Sequence, residues 1–234
     1  MHDNVRAVIL CAGAGLRVAK ITGGKPKSFL RVGDETLIRR QVGSLESAGV
    51  GDITLVVGYK DHLFRESFPN LKFVVNRDYR TTNTAHSLML ALSAVEEKTT
   101  LVLNADVYFS DRLIRAMLEH PAATVAALDR KRNGEEEIKV YLEGEQITAI
   151  GKYLNEDLSG GEAFGVYKLS PAFCRYLKRE LSLQNNPKVF YERAMDQLLK
   201  GGHRMQYQDV GDDLAMEVDT PADYYELLEQ LGLN

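Results

Sequence analysis

Three kinds of residue in this 234-residue chain could together hold a polyphosphate: glycines at Gly13 and Gly15, cations at Arg17 and Lys27, and carboxylates at Asp106 and Asp219. Glycines let backbone N–H groups close on an anion without a Cβ in the way, and Arg17 sets a permanent cation beside them. Lys27 follows Pro26, whose ring stiffens the approach of the chain and helps to aim the ammonium. Asp106 ends the apolar run Leu101 to Leu103, and Asp219 lies at the joint between Glu217 and Pro221. Two such acids at one sheet edge suit Mg²⁺, which takes one or two carboxylates and fills its shell with substrate phosphate oxygens and water.

Two common phosphate loops do not fit this segment. A Walker A loop runs Gly-Lys-Ser/Thr straight into a helix, whereas Gly24 and Lys25 are followed by Pro26. A dinucleotide fingerprint needs a third glycine where Val18 stands and an acid closing the second strand, where Gly58 and Tyr59 stand. The strand, then Ala12, Gly13, Ala14, Gly15, Leu16 and Arg17, then Pro26 and Lys27, resembles the nucleotidyltransferases of the sugar-nucleotide and phosphocholine type. Within these it is most similar to the phosphocholine and 2-aminoethylphosphonate cytidylyltransferases, along nearly the whole chain.

That resemblance implies roles residue by residue. Ala12, Gly13 and Gly15 would cradle the nucleotide, with Lys27 and Arg17 neutralising its phosphates, and Asp106 and Asp219 would hold the catalytic Mg²⁺. Family members often carry a further acid two residues before the first ligand, where this chain has Asn104. Asn83 and Ser87 fall in the family's base and ribose contact region, although the segment also suits a plain turn and Ser87 an N-terminal helix residue satisfying a backbone donor. Lys139 and Lys152 would face the acceptor phosphate, and Glu162 its head group. Acids and aromatic faces at Tyr153, Glu162, Tyr191 and Glu192 could meet a cationic amine or hydrogen-bond a polyol. The implied reaction is CMP transfer from CTP to a small phosphorylated or phosphonate alcohol or amine, with pyrophosphate released. Such an acceptor is already an anion, so positioning and charge neutralisation replace a general base. A sugar-1-phosphate nucleotidyltransferase is the alternative enzyme, and a non-catalytic nucleotide-binding regulatory domain is the alternative of another class.

The elements that must position these groups follow from local patterns. Val8 to Leu10, Ile53 to Val57, Leu71 to Val75 and Leu101 to Leu103 are short apolar runs, read as buried strands. Helical spacing is expected from Glu35 to Ala48 and from Ala85 to Val95. Strands alternating with helices imply right-handed crossovers, with ligands collecting beyond the strand carboxyl ends. Later come strands near Thr124 to Leu128, Ile138 to Leu142, Ile147 to Ile150, Ala163 to Tyr167 and Ala215 to Val218, with helices at Pro171 to Leu181 and Val189 to Leu199. The expected fold is α/β: a Rossmann-like, mostly parallel sheet with helices on both faces and a small mixed or antiparallel extension. One domain is expected over 1–234, with a nucleotide-binding half (1–120) and an acceptor-binding half (121–234).

A net charge of −4 provides no general basic surface, so nucleic acid is not an expected partner and any anion site must be local. The apolar fraction, 44%, suffices for a core, and no run reaches membrane-spanning length. The N-terminus lacks a signal-peptide apolar region, and the two cysteines suggest no disulfide framework, so a soluble cytoplasmic protein is expected. A homodimer is compatible with the sequence.

Overall fold

The computed structural model describes residues 2–94, 98–130 and 137–233. Strand β1 (Val5–Leu10) feeds the glycine loop, which contains short 3₁₀ turns at Leu16–Val18 and Lys27–Phe29. A small ladder, β2 (Arg31–Val32) and β3 (Glu35–Thr36), precedes helix α1 (Leu37–Ser47). The helix expected from Glu35 therefore starts two residues later. Glu35 and Thr36 pair back on β2, and the Thr36 hydroxyl accepts from Arg39 N as the cap.

The first half continues with β4 (Ile53–Val57), α2 (Asp61–Ser67), β5 (Lys72–Val75), α3 (Thr84–Ser93), β6 (Thr99–Asn104), β7 (Val107–Phe109) and α4 (Asp111–Glu119). Val95, expected to end α3, lies outside the described residues. The second half comprises β8 (Val125–Asp129), β9 (Lys139–Glu143), β10 (Gln146–Gly151), β11 (Glu162–Leu169), α5 (Pro171–Ser182), α6 (Glu192–Lys200), β12 (Gln206–Asp209), β13 (Ala215–Glu217) and α7 (Pro221–Gln230). Among the described residues no helix is long and apolar enough to cross a membrane.

One nine-stranded sheet carries both halves, in the order β5-β4-β1-β6-β11-β8-β12-β10-β9. Strands β5, β4, β1, β6, β8, β12 and β9 share one direction, while β10 and β11 oppose it. The fold class is as expected, but the antiparallel part is not peripheral. Strand β11 lies at the centre of the sheet, between β6 and β8.

Alternation along β1 explains the layers. Ala7 and Ile9 join the core under α1, α2 and α4, with Ile38, Val42, Phe64 and Ile114. Val8 and Leu10 face the other way, into the core with Leu88 of α3, Leu177 of α5 and Leu198 of α6. Each fully buried aliphatic side chain of this kind contributes about 1.5–3 kcal/mol. A third, smaller cluster, with Val18, Leu30, Val218 and Leu227, packs α7 beneath the glycine loop.

Candidate active site

Two acids far apart in sequence are brought together by β13. It pairs antiparallel with β7, Glu217 opposite Val107, and Val218 N donates to Asp106 O at 2.9 Å. Asp219 follows directly, and its backbone is fixed by the capping box of α7. The Asp223 carboxylate accepts from Asp219 N (2.8 Å) and Thr220 N (2.7 Å), and the Thr220 side chain accepts from Asp223 N.

Lys27 sits between these acids, with its ammonium 2.5 Å from Asp106 Oδ2 and also paired with Asp219 Oδ1. Arg17 reaches the other oxygen of Asp219 at 2.9 Å. Gly15 makes this approach possible: its φ is +58°, and a Cβ there would run into Lys27. Burial works against the charge of Lys27, but Asp106 and Asp219 outweigh it, so its pKa is raised. Burial likewise opposes ionisation of Asp219, yet Lys27 and then Arg17 hold its carboxyl below the usual range. Asp106 Oδ1 is buried without a hydrogen-bond partner.

These groups line a cleft of about 340 Å³ beyond the carboxyl ends of β1 and β6. Gly13, Gly15, Arg17, Lys27, Asn83, Asp106, Lys152, Glu192 and Asp219 all border it. Asn83 caps α3, its side-chain oxygen accepting from Thr84 N at 2.8 Å. Lys152 lies just past β10, its ammonium 5.4 Å from the centre of the Phe190 ring. Glu192 opens α6 and is 3% exposed; it accepts from the Tyr167 hydroxyl at 3.4 Å, and its Oε2 has no hydrogen-bond partner. Burial pushes the Glu192 carboxyl up to about 7.

The remaining expected contacts lie behind the cleft wall. Ala12 is buried, and its carbonyl accepts from Tyr59 N. Ser87 is buried and accepts from the Asn76 amide at 3.0 Å, inside the turn network after β5. Lys139 and Glu162 are buried and stand opposite each other where β9 meets β11. Tyr191 has no exposed surface and donates its hydroxyl to Asn104 Oδ1 at 2.9 Å. An aromatic face offered by Tyr191 to an acceptor is therefore corrected, because the ring packs edge-on against Tyr167.

Sequence reasoning missed Glu217, Thr84, Ile138 and Phe190, which also border the cleft. Glu217 could have been found: it stands two residues before Asp219 at the end of an extended segment, where alternate side chains share a face. Burial and then the charges of Asp106, Asp219 and Glu162 push its carboxyl well up.

A divalent cation fits the two aspartates. They already converge on one cationic group, the Lys27 ammonium, and Asp106 retains an unpartnered oxygen. No group of three or more His, Cys, Asp or Glu side chains among the described residues forms a dedicated cage. A metal here would complete its shell with substrate oxygens and water. A second cleft, about 370 Å³, lies between α5, the start of β10 and the start of β12; Arg204 and His203 border it, and among the described residues no carboxylate does.

Residues 7–201 match the family described as MobA-like NTP transferase domain. The chain is 28% identical, over 94% of its length, to the CMP-5'-(3-aminopropyl)phosphonate synthase of Streptomyces rubellomurinus. It is 32% identical, over 48% of its length, to the 2-aminoethylphosphonate cytidylyltransferase of Lancefieldella rimae. The aligned parts span 37% and 47% of those two proteins. Among solved structures, the CTP:phosphocholine cytidylyltransferase from Streptococcus pneumoniae superposes with a TM-score of 0.81 at 21% identity, covering 97% of this chain and 99% of that one. The inositol-1-phosphate CTP transferase from T. maritima gives 0.75 at 24% identity, covering 97% and 96%. The likeness to these two is one of fold.

Proposed function

Because this chain belongs to the MobA-like NTP transferase family, we propose that it transfers CMP from CTP to a small phosphate- or phosphonate-bearing acceptor, releasing pyrophosphate with Mg²⁺ as cofactor. The observation that carries the reading is the meeting of Lys27, Asp106, Asp219 and Arg17 in one cleft that also holds Lys152 and Glu192. The choice of CTP and of an amine-bearing phosphonate acceptor draws on the two cytidylyl-type relatives.

The glycine loop and Arg17 would take the triphosphate, with Lys27 leaving its carboxylates for phosphate oxygens. Asp106 and Asp219 would hold the Mg²⁺, which when bound neutralises charge on the triphosphate. Lys152 would draw in the anionic end of the acceptor, placing its oxygen in line with the α-phosphorus. Because that oxygen is already charged, no residue needs to remove a proton. At the far wall, Glu192 would ionise against a cationic amine, since an opposite charge offsets the burial that raises its pKa.

The test is pyrophosphate release from CTP and Mg²⁺ with a panel of 2-aminoethylphosphonate, 3-aminopropylphosphonate, phosphocholine, inositol-1-phosphate and glucose-1-phosphate. Turnover with the amine-bearing acceptors supports the reading. Turnover only with the sugar phosphate would replace the acceptor class, and silence across the panel with CTP still bound would favour a nucleotide-binding domain.

A further inference from the structure

The turn that carries Asp106, residues 104–107, is gripped from both faces of the sheet. From the α1 side, Gln41 is 2% exposed and uses its amide nitrogen twice, donating to Asn104 O at 2.9 Å and to Val107 O at 2.8 Å. Its two acceptors are the residues at either end of the turn, so a single planar amide fixes the distance between them. Neighbours on the same helix hold the segment that follows. Ser44 donates to Asp111 at 2.6 Å, and the Arg40 guanidinium lies over the Tyr108 ring at 4.9 Å. From the α6 side, the buried Tyr191 hydroxyl donates to Asn104 Oδ1 at 2.9 Å.

Packing alone does not explain Gln41. Its Oε1 is buried without a hydrogen-bond partner. An unpaired buried oxygen costs about 1–3 kcal/mol, whereas an apolar side chain of similar volume would avoid that cost. A polar group kept at such a cost in the interior fixes one arrangement of its partners. Here the partners are the two carbonyls that bracket Asp106. Tyr191 is tied to the same turn, and the next residue, Glu192, borders the cleft on its acceptor side.

We propose that Gln41 and Tyr191 are positioning residues for Asp106, clamping its turn so that the carboxylate is aimed at the cation shared with Asp219. The inference rests on the reading of Asp106 as a metal-holding carboxylate. Groups that support a metal ligand without touching the metal commonly change metal affinity by about 10- to 100-fold when removed.

The experiment is an EPR titration of Mn²⁺ into the full chain saturated with the non-hydrolysable analogue α,β-methylene-CTP, with nucleotide alone subtracted. Asp106→Ala sets the full loss of protein-held Mn²⁺. Gln41→Met, which keeps the volume and removes both donors, is expected to weaken Mn²⁺ binding roughly tenfold, with affinity for the analogue little changed. Tyr191→Phe, which keeps the buried ring and removes one hydroxyl, shifts Mn²⁺ affinity in the same direction and by less. The double variant shows less than the sum, since both act through one turn. Ser44→Ala, on the same helix, lowers the melting temperature without moving Mn²⁺ affinity. Unchanged Mn²⁺ affinity in Tyr191→Phe and in any folded Gln41→Met, beside a loss in Asp106→Ala, would overturn the clamp and leave the proposed reaction standing. Unchanged affinity in Asp106→Ala would remove the metal reading and the clamp with it.

Discussion

The two walls of the cleft handle charge in opposite ways. On the side of the glycine loop, Arg17, Lys27, Asp106 and Asp219 form ion pairs and are partly exposed. On the side of α6, Glu192 is buried, and burial drives its carboxyl towards the protonated form. The glycine-loop wall thus carries cations and carboxylates that are already paired. At the far wall, a positive charge brought near Glu192 would offset the burial that raises its pKa. This difference follows from position: the first set sits on loops that follow β1, β6 and β13, while Glu192 opens a helix packed into the core under β11.

If the first wall supplies the charge that makes reaction possible, breaking it has the largest effect. Asp106→Ala and Asp219→Ala should each lower pyrophosphate release by about 10²–10³ or more, with an unchanged circular dichroism spectrum. Near-normal turnover in either variant would remove that acid from the metal site. The joint between the walls comes next. Gly165, inside β11, has φ +81°, and a Cβ there would collide with the Asn104 side chain. Gly165→Ala should therefore cost about 1–3 kcal/mol in denaturant unfolding and also depress turnover, because Asn104 leads into Asp106. Loss of stability with normal turnover would show that the joint does not aim the carboxylate.

Lys152 sharpens the comparison by sitting between the walls. Its replacement by Ala should raise the acceptor KM roughly 10- to 100-fold, the worth of one charged hydrogen bond, with a much smaller change for CTP. Equal effects on both substrates would place Lys152 on the nucleotide side instead. The smallest effect concerns stability against pH. The folded carboxyl of Glu192 titrates at about 7, against an ordinary value of 4.5. Between these values the folded protein holds a proton that the unfolded chain has released, so this residue makes stability fall as pH rises from about 4.5 to 7. Glu192→Gln should flatten that part of a melting-temperature profile, and an unaltered slope would show that Glu192 ionises freely in the folded state.

Much of the glycine-loop wall was legible beforehand because its cues are local. The apolar run of β1, the glycines and the Pro26–Lys27 pair lie within 24 residues of one another, and each carries its own conformational meaning. Asp106 and Asp219 were legible because each ends an extended segment at a turn. The wall at α6 was less so. Tyr191, Glu162 and Lys139 carry chemistry that suits an acceptor, yet all three are buried, and burial depends on β11 entering the middle of the sheet. Nothing in the alternation of β11 distinguishes a central strand from an edge one, since all of its residues are covered. Gln41 falls on the apolar face of α1, four residues from both Leu37 and Leu45, but that spacing does not name the carbonyls it reaches.

By itself, then, the order of residues determined the strand-and-helix alternation and the glycine turn, and it named the two aspartates as candidates, since hydrophobic period and turn chemistry act over a few residues. Only the tertiary structure decided that Asp219 returns to Asp106 through the β13–β7 pair, that Lys27 is shared between them, and which glutamates are withdrawn from water. Those outcomes depend on contacts between segments distant in the chain, where desolvation and pairing energies are set by neighbours that local sequence does not name.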